Sequence, residues 1–256
     1  LFESGQVFYP VDERWAEEFI EECLKDLVPF CKDNKHLISV VSIPFVEYQD
    51  KVIEYDNTIQ VLTDRLHKGD IDFLSTEPQF ITEAECRNIA SKPLLENDCD
   101  IIFIIDLDEM FSYENLTKIQ KYIERSEFID WFSISYKNYV GNGYLDEPFT
   151  PPRIFRVKSR NLKFSHFHFD NDVTYKDSYG LDIHFKSLSN KVIPKEYTWV
   201  THYTWMNDEK SKNKIEFQMK HYGHCSYKWE NGEIKLNDQF YIEHNQIKPK
   251  IIYDEK

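Results

Sequence analysis

The chain of 256 residues carries 45 acidic against 31 basic side chains, a formal net charge of −14, and this balance excludes a broad basic face for gripping a nucleic-acid backbone. Its length suits one domain with a good core, and a composition that is 41% hydrophobic and 16% aromatic excludes wholesale disorder. Five cysteines, widely spaced and without a C-x-x-C pair, indicate neither a disulfide framework nor a zinc knuckle and read as reduced, mostly buried thiols.

No apolar run approaches the roughly 20 residues that span a bilayer, and the sequence has no signal-type start, so a cytoplasmic protein is expected. Leu1 at the first position hints that the natural start lies elsewhere. The 16 Tyr and 19 Phe serve first to pack the core and second as surfaces on which sugars or bases stack.

In chain order, acidic residues after Asp12 and the helical recurrence of Trp15, Phe19, Ile20, Leu24 and Leu27 predict an amphipathic helix over 13–29, with Pro29 near its end. The β-branched run 37–44 (LISVVSIP) predicts a short buried strand. A helix over 49–67 ends before Gly69, a weaker strand covers 71–75, and the capping-box pattern from Thr82 to Glu85 opens a helix through Glu96. The apolar strand 101–105 then runs into Asp106-Leu-Asp-Glu109.

This alternation predicts right-handed β-α-β units and a mainly parallel sheet covered on both faces, with ligands beyond the carboxyl ends of its strands. After a helix over 113–124 the pattern turns strand-like at 131–140, 153–157 and 197–203, which predicts mixed or antiparallel edge strands. A last helix covers 208–222. The stretches 141–143 and 148–152 mark exposed loops.

Asp106 and Asp108 stand at i and i+2 where a strand ends, so both carboxylates can aim at one hard cation such as Mg²⁺ or Mn²⁺ bridging nucleotide phosphates. The competing reading is a solvated helix start, where the helix dipole favours acids. Three companions follow the same chain order: Arg87-Asn88 in the preceding helix, Arg153-Ile-Phe-Arg156 on a later strand, and His202-Tyr203 followed by Lys210 and Lys214.

Together these stretches, over residues 80–220, resemble the D-x-D-E, R-N, R-x-F-R and late-histidine motifs of family 2-like GT-A glycosyltransferases. The resemblance implies an α/β GT-A (Rossmann-like) fold, with a mixed, mainly parallel sheet flanked by helices. It implies one domain over 1–256, with a nucleotide-sugar-binding half at 1–110 and an acceptor-side half at 111–256.

The resemblance further implies Asp108 as the main metal ligand, Asp106 near the ribose or metal, and His202 as third ligand to Mn²⁺ or Mg²⁺. His202 is read equally well as a half-buried histidine bonded to backbone. Arg87, Arg153 and Arg156 would fork onto diphosphate oxygens, with surface salt bridges as their alternative use. Lys210 and Lys214, one turn apart, form either a phosphate-facing stripe or a solvated face. A carboxylate base for an inverting reaction falls to Asp170, with Asp172 and Asp182 as substitutes.

The amino end departs from the family pattern. Residues 1–5 leave hardly room for a first strand, so that strand is expected to be missing or very short, with Glu3 or Ser4 near the base. The expected donor is a nucleotide sugar, a UDP-sugar first, and the expected acceptor a glycan or other hydroxyl, with modified DNA as a lesser possibility. A rival reading takes His166 and His168, with Asp170, as the centre of a different metalloprotein or hydrolase. A non-catalytic carbohydrate-binding protein would keep the aromatics without a metal.

Overall fold

The computed structural model describes residues 2–8, 13–44, 58–76, 83–106, 109–146, 150–165, 173–198, 200–205 and 209–253, with backbone alone for 2–8, 13–19, 42–44, 83 and part of 203–222. The strands are β1 (Phe2–Phe8), β2 (Ile38–Pro44), β3 (Phe73–Ser75), β4 (Ile101–Ile104), β5 (Glu109–Met110), β6 (Trp131–Ile134), β7 (Tyr136–Val140), β8 (Gly143–Leu145) and β9 (Pro152–Arg156). They continue with β10 (Lys163–Phe164), β11 (Val173–Lys176), β12 (Asp182–His184), β13 (Asn190–Ile193), β14 (Val200–Trp205), β15 (Tyr227–Glu230), β16 (Glu233–Leu236) and β17 (Ile251–Tyr253). The helices are α1 (Glu13–Asn34), α2 (Thr58–His67), α3 (Glu83–Glu96), α4 (Tyr113–Glu124), α5 (Lys195–Thr198), α6 (Glu209–Tyr222) and α7 (Asp238–Glu243).

Seven strands build the main sheet in the order β13-β6-β9-β4-β1-β2-β3. All neighbours pair in parallel except around β9, which runs antiparallel to both β4 and β6. This is the mixed, mainly parallel α/β sheet flanked by helices that the sequence implied.

Alternation along the central strands divides the core between the two faces. On β4, Phe103 and the following Ile105 join α1, α2 and α4 on one face, while Ile102 and Ile104 join Ala84 and Leu95 of α3, Leu162 and Phe185 on the other. Ile154 and Phe155 of β9 part in the same way. A second sheet, ordered β17-β8-β7-β14-β5, packs over Ile215 of α6 and the β15–β16 hairpin. A three-stranded sheet, β10-β11-β12, flanks the α3 face.

Several expectations are corrected. The first strand is neither missing nor very short: Phe2–Phe8 pairs with all seven residues of β2 and, through Phe2 and Glu3, with β4, making it a central strand. Its sequence, FESGQVF, lacks the β-branched run that marks buried parallel strands, so the pattern hid it. Glu3 and Ser4 lie within the strand, four or more residues before its end at Phe8, rather than in an exit loop.

Residues 131–140 form two strands in different sheets, with Ser135 as the crossing point. The 141–143 stretch is a tight β7–β8 hairpin turn whose two glycines are buried, not an exposed loop. Pro29 lies inside α1, which continues to Asn34. All five cysteines are buried thiols outside any disulfide; burial lifts Cys31 to about 12 and Cys99 to about 11. Among the described residues no helix is long and apolar enough to cross a membrane.

Candidate functional site

β4 carries the chain from the middle of the main sheet to its carboxyl edge, where the apolar run stops at Ile105 and Asp106 emerges with its side chain 29% exposed. The chain then folds back on itself. The Glu109 amide donates to the Asp106 carbonyl (3.0 Å), and the Asp106 amide donates to Glu109 Oε2 (3.0 Å). The last acid of the D-x-D-E sequence is therefore a clasp that ties its own backbone to Asp106, the first.

Glu109 is fully buried, a costly place for a carboxylate unless every lone pair finds a donor. It finds them in the Tyr136 hydroxyl (2.9 Å), Arg153 Nε (3.1 Å), a second Arg153 nitrogen and the Asp106 amide. The same Arg153 nitrogen reaches Asp106 Oδ2 at 2.6 Å. Burial by itself would lower the Arg153 pKa; the charges of Asp106 and Glu109 more than offset it and hold the guanidinium well above its usual range. Burial first, and then Glu109, push the Tyr136 phenol up, so it stays a donor.

One buried cation thus faces two carboxylates, leaving the strand end with a net negative charge, the local field a divalent cation needs.

Beside this network runs β14. His202 pairs in register with Glu109 across the antiparallel β14–β5 ladder and with Asn138 across the parallel β14–β7 ladder. Its ring is buried, 5.7 Å from the Tyr136 ring, and its Nδ1 lies 3.1 Å from Asn138 Oδ1. An amide oxygen accepts, so Nδ1 is the nitrogen that donates here, which leaves Nε2 as the ring nitrogen for any metal-ligand role. Asn138 also hydrogen-bonds the Tyr227 hydroxyl, which ties the histidine's support to the β15–β16 hairpin.

The donor types here, carboxylate and neutral imidazole, suit Mn²⁺ or Mg²⁺. Among the described residues no three His, Cys, Asp or Glu side chains cluster closely enough to hold a metal, and Asp108 lies outside those residues.

The structure brings Asp106 and Arg153 into direct contact, and links His202 to that network through its register with Glu109 and its ring contact with Tyr136. It sends other expected residues elsewhere. Arg156 donates to the carbonyls of Ile129 (2.7 Å), Ile123 (2.8 Å) and Ser126 (3.2 Å), so its fork secures the end of α4 and the loop after it. Arg87 is buried in α3. Its neighbour Asn88 clasps Phe164 of β10 by two 2.8 Å bonds, so the second half of the R-N pair joins helix to strand.

Asp182 is exposed on β12 and pairs with Lys176 at 3.2 Å. Lys210 is the second residue of α6, with its side chain outside the described residues, as are those of Lys214, Glu3 and Ser4. Asp170, Asp172, His166 and His168 also lie outside them.

Three members of the site had no role assigned from the sequence: Glu109, Tyr136 and Asn138. The usable signal was in β7, where Tyr136, Asn138 and Val140 share the buried face, so a polar Asn stands in a core register.

No protein-family model and no curated protein matches the sequence. Among solved structures, S. aureus TarS 1-349 is similar at 14% identity and a TM-score of 0.48, over 86% of this chain and 63% of that one. The same TarS segment in complex with UDP-GlcNAc is similar at 19% identity and TM-score 0.38, over 56% and 36% of the two chains. A nucleoside-diphosphate-sugar pyrophosphorylase from Vibrio cholerae RC9 is similar at 8% identity and TM-score 0.37, over 62% and 74%. The match thus spans less than two-thirds of either TarS chain.

Proposed function

We propose that this chain is a metal-dependent glycosyltransferase that moves a sugar from a nucleotide-sugar donor to an acceptor hydroxyl with inversion. One observation carries the reading: a D-x-D-E turn at the carboxyl end of a central strand, clasped by the buried Glu109–Arg153–Tyr136 network and flanked by His202. Such a position is where open α/β sheets receive ligands. A buried network that holds a partly exposed carboxylate is the support a metal-binding loop needs.

In this reading Asp106, Asp108 and His202 would hold Mn²⁺ or Mg²⁺. The ion, when bound, offsets the diphosphate charge and stabilises the departing nucleoside diphosphate. Arg153 keeps Asp106 turned toward that position, and Glu109 keeps the turn closed. Asp170 takes the proton from the acceptor hydroxyl as its oxygen bonds the anomeric carbon and the bond from that carbon to the phosphate oxygen breaks. The net charge of −14 favours a glycan acceptor over DNA. A UDP-sugar is the first donor to test.

Calorimetric titration with a panel of nucleotide sugars, with Mn²⁺ or with chelator, tests the proposal on wild-type protein and on Asp108→Ala. The expected result is saturable binding that needs the metal and is lost in the variant. Failure of every donor in both conditions on a folded sample removes the enzyme reading. Binding indifferent to the metal removes the D-x-D mechanism.

A further inference from the structure

The two faces of α4 have different chemistry. Leu116, Ile119 and Ile123 are buried against the main core. Lys118, Lys121, Tyr122 and Arg125, at i, i+3, i+4 and i+7, make a second stripe that is basic where the first is apolar. With Lys191 of the edge strand β13 and Tyr197 of α5, this stripe lines an open hollow of about 300 Å³. Four cations thus line one hollow on a chain whose net charge is −14.

Local pairing leaves most of that charge in place. Lys118 is tied to Glu114 at 2.7 Å, and Lys191 sits over the Tyr122 ring, 5.0 Å from its centre. Among the described residues Lys121 and Arg125 have no carboxylate partner. Like charges gathered in one concavity repel, by about 1 kcal/mol per pair at 4 Å even in water, and focus the field on whatever anion enters. The Tyr122 and Tyr197 rings, 5.3 Å apart and inclined at 62°, supply a wall of apolar faces beside the charges.

We infer that this pocket binds a phosphorylated small molecule, with its phosphoryl group on Lys121, Arg125 and Lys191 and its body against Tyr122 and Tyr197. The volume lies at the small end of the range of about 300–1,000 Å³ for ligand pockets, which suits a sugar phosphate better than a nucleotide sugar. The site is separate from the Asp106 turn. α4 starts after its cap Ser112, just beyond Glu109, and Arg125 lies about 18 Å further along the helix axis.

Titration with pyrophosphate and with glucose 6-phosphate, in EDTA so that no metal-held donor site contributes, tests the inference on wild type and on the Lys121→Gln/Lys191→Gln double variant. Both side chains are exposed, and a thermal scan checks that the variant is folded. The expected result is saturable binding to wild type that weakens as salt is raised and is at least about tenfold weaker in the variant. No saturable binding to wild type up to about 10 mM, or equal affinity in the variant, overturns it. Binding of glucose 6-phosphate no tighter than that of inorganic phosphate, titrated in parallel at matched charge, would take the organic ligand and its aromatic wall out of the proposal.

Discussion

Arg153 and Glu109 form a fully buried ion pair: Nε lies 3.1 Å from Oε1, a second guanidinium nitrogen contacts the same oxygen, and both side chains are at most 6% exposed. A pair of this kind contributes little relative to a well-packed apolar pair, but breaking it strands a charge in the core. Arg153→Met alone should therefore lower stability by about 3–5 kcal/mol, a fall in Tm of roughly 6–20 °C for a chain of this size. Glu109→Leu alone should cost about as much, and the double variant less than the sum. Additive losses in a thermal-denaturation cycle would mean that the two residues do not act as a pair.

Arg156 separates the structural account from the motif account. Its fork is spent on three carbonyls at the end of α4 and the following loop. Arg156→Ala should cost about 1–3 kcal/mol through the acceptors left behind and leave donor affinity within about twofold of wild type. A large loss of nucleotide-sugar affinity with unchanged Tm would return Arg156 to the diphosphate.

Asn138 fixes which His202 nitrogen carries the proton. Asn138→Leu keeps the branching of the side chain at Cγ and removes the acceptor, so the ring loses the partner that holds Nδ1 and its orientation. Mn²⁺ affinity, followed by electron paramagnetic resonance of the free ion, should fall about 10–100-fold, as is usual when the outer support of a metal ligand is removed. Unchanged affinity would take His202 out of the ligand set.

These residues also show how much of the molecule was legible in its sequence. The strand 101–105 ending in acids could be read because an unbroken apolar run must be buried and its first charge must emerge. The main-sheet order could not, since β9 inserts antiparallel between β4 and β6, pairings that join Ile101 to Arg156 and Trp131 to Phe155, far beyond the reach of a local pattern. β1 escaped because a central strand held by neighbours on both sides needs little propensity of its own. Within the site, Asp106, Arg153 and His202 were named from motif order. The partners that make them work, Glu109, Tyr136 and Asn138, are joined by tertiary hydrogen bonds that no local pattern encodes.

His36, between α1 and β2, gives the fold a pH dependence. Burial holds its pKa down to about 4 from the usual 6.5, so the folded state prefers the neutral ring. The unfolded chain binds the proton first as pH falls, so this contribution is complete above about pH 6.5 and is lost progressively between there and pH 4. The group is only half buried, so the loss is on the order of 1 kcal/mol. Urea denaturation at pH 7 and pH 5 should show His36→Gln losing less stability than wild type over that interval; parallel losses would assign the acid sensitivity to other groups.

Gly143 tests the outer edge of the second sheet. A methyl group there would stand 2.5 Å from Ile251 Cγ2 and 2.6 Å from the Ile252 carbonyl oxygen, and backbone cannot yield as a flexible side chain can. Gly143→Ala should therefore push β17 off β8, where Tyr253 now pairs with Gly143, at a cost of about 1–3 kcal/mol. Amide exchange should accelerate at residues 251–253 ahead of the rest of the sheet. The order β17-β8-β7-β14-β5 puts β8 and β7 between the disturbed strand and His202, so Mn²⁺ affinity should stay at the wild-type value. Full protection of 251–253 in the folded variant would show that β17 is not seated against β8 as described.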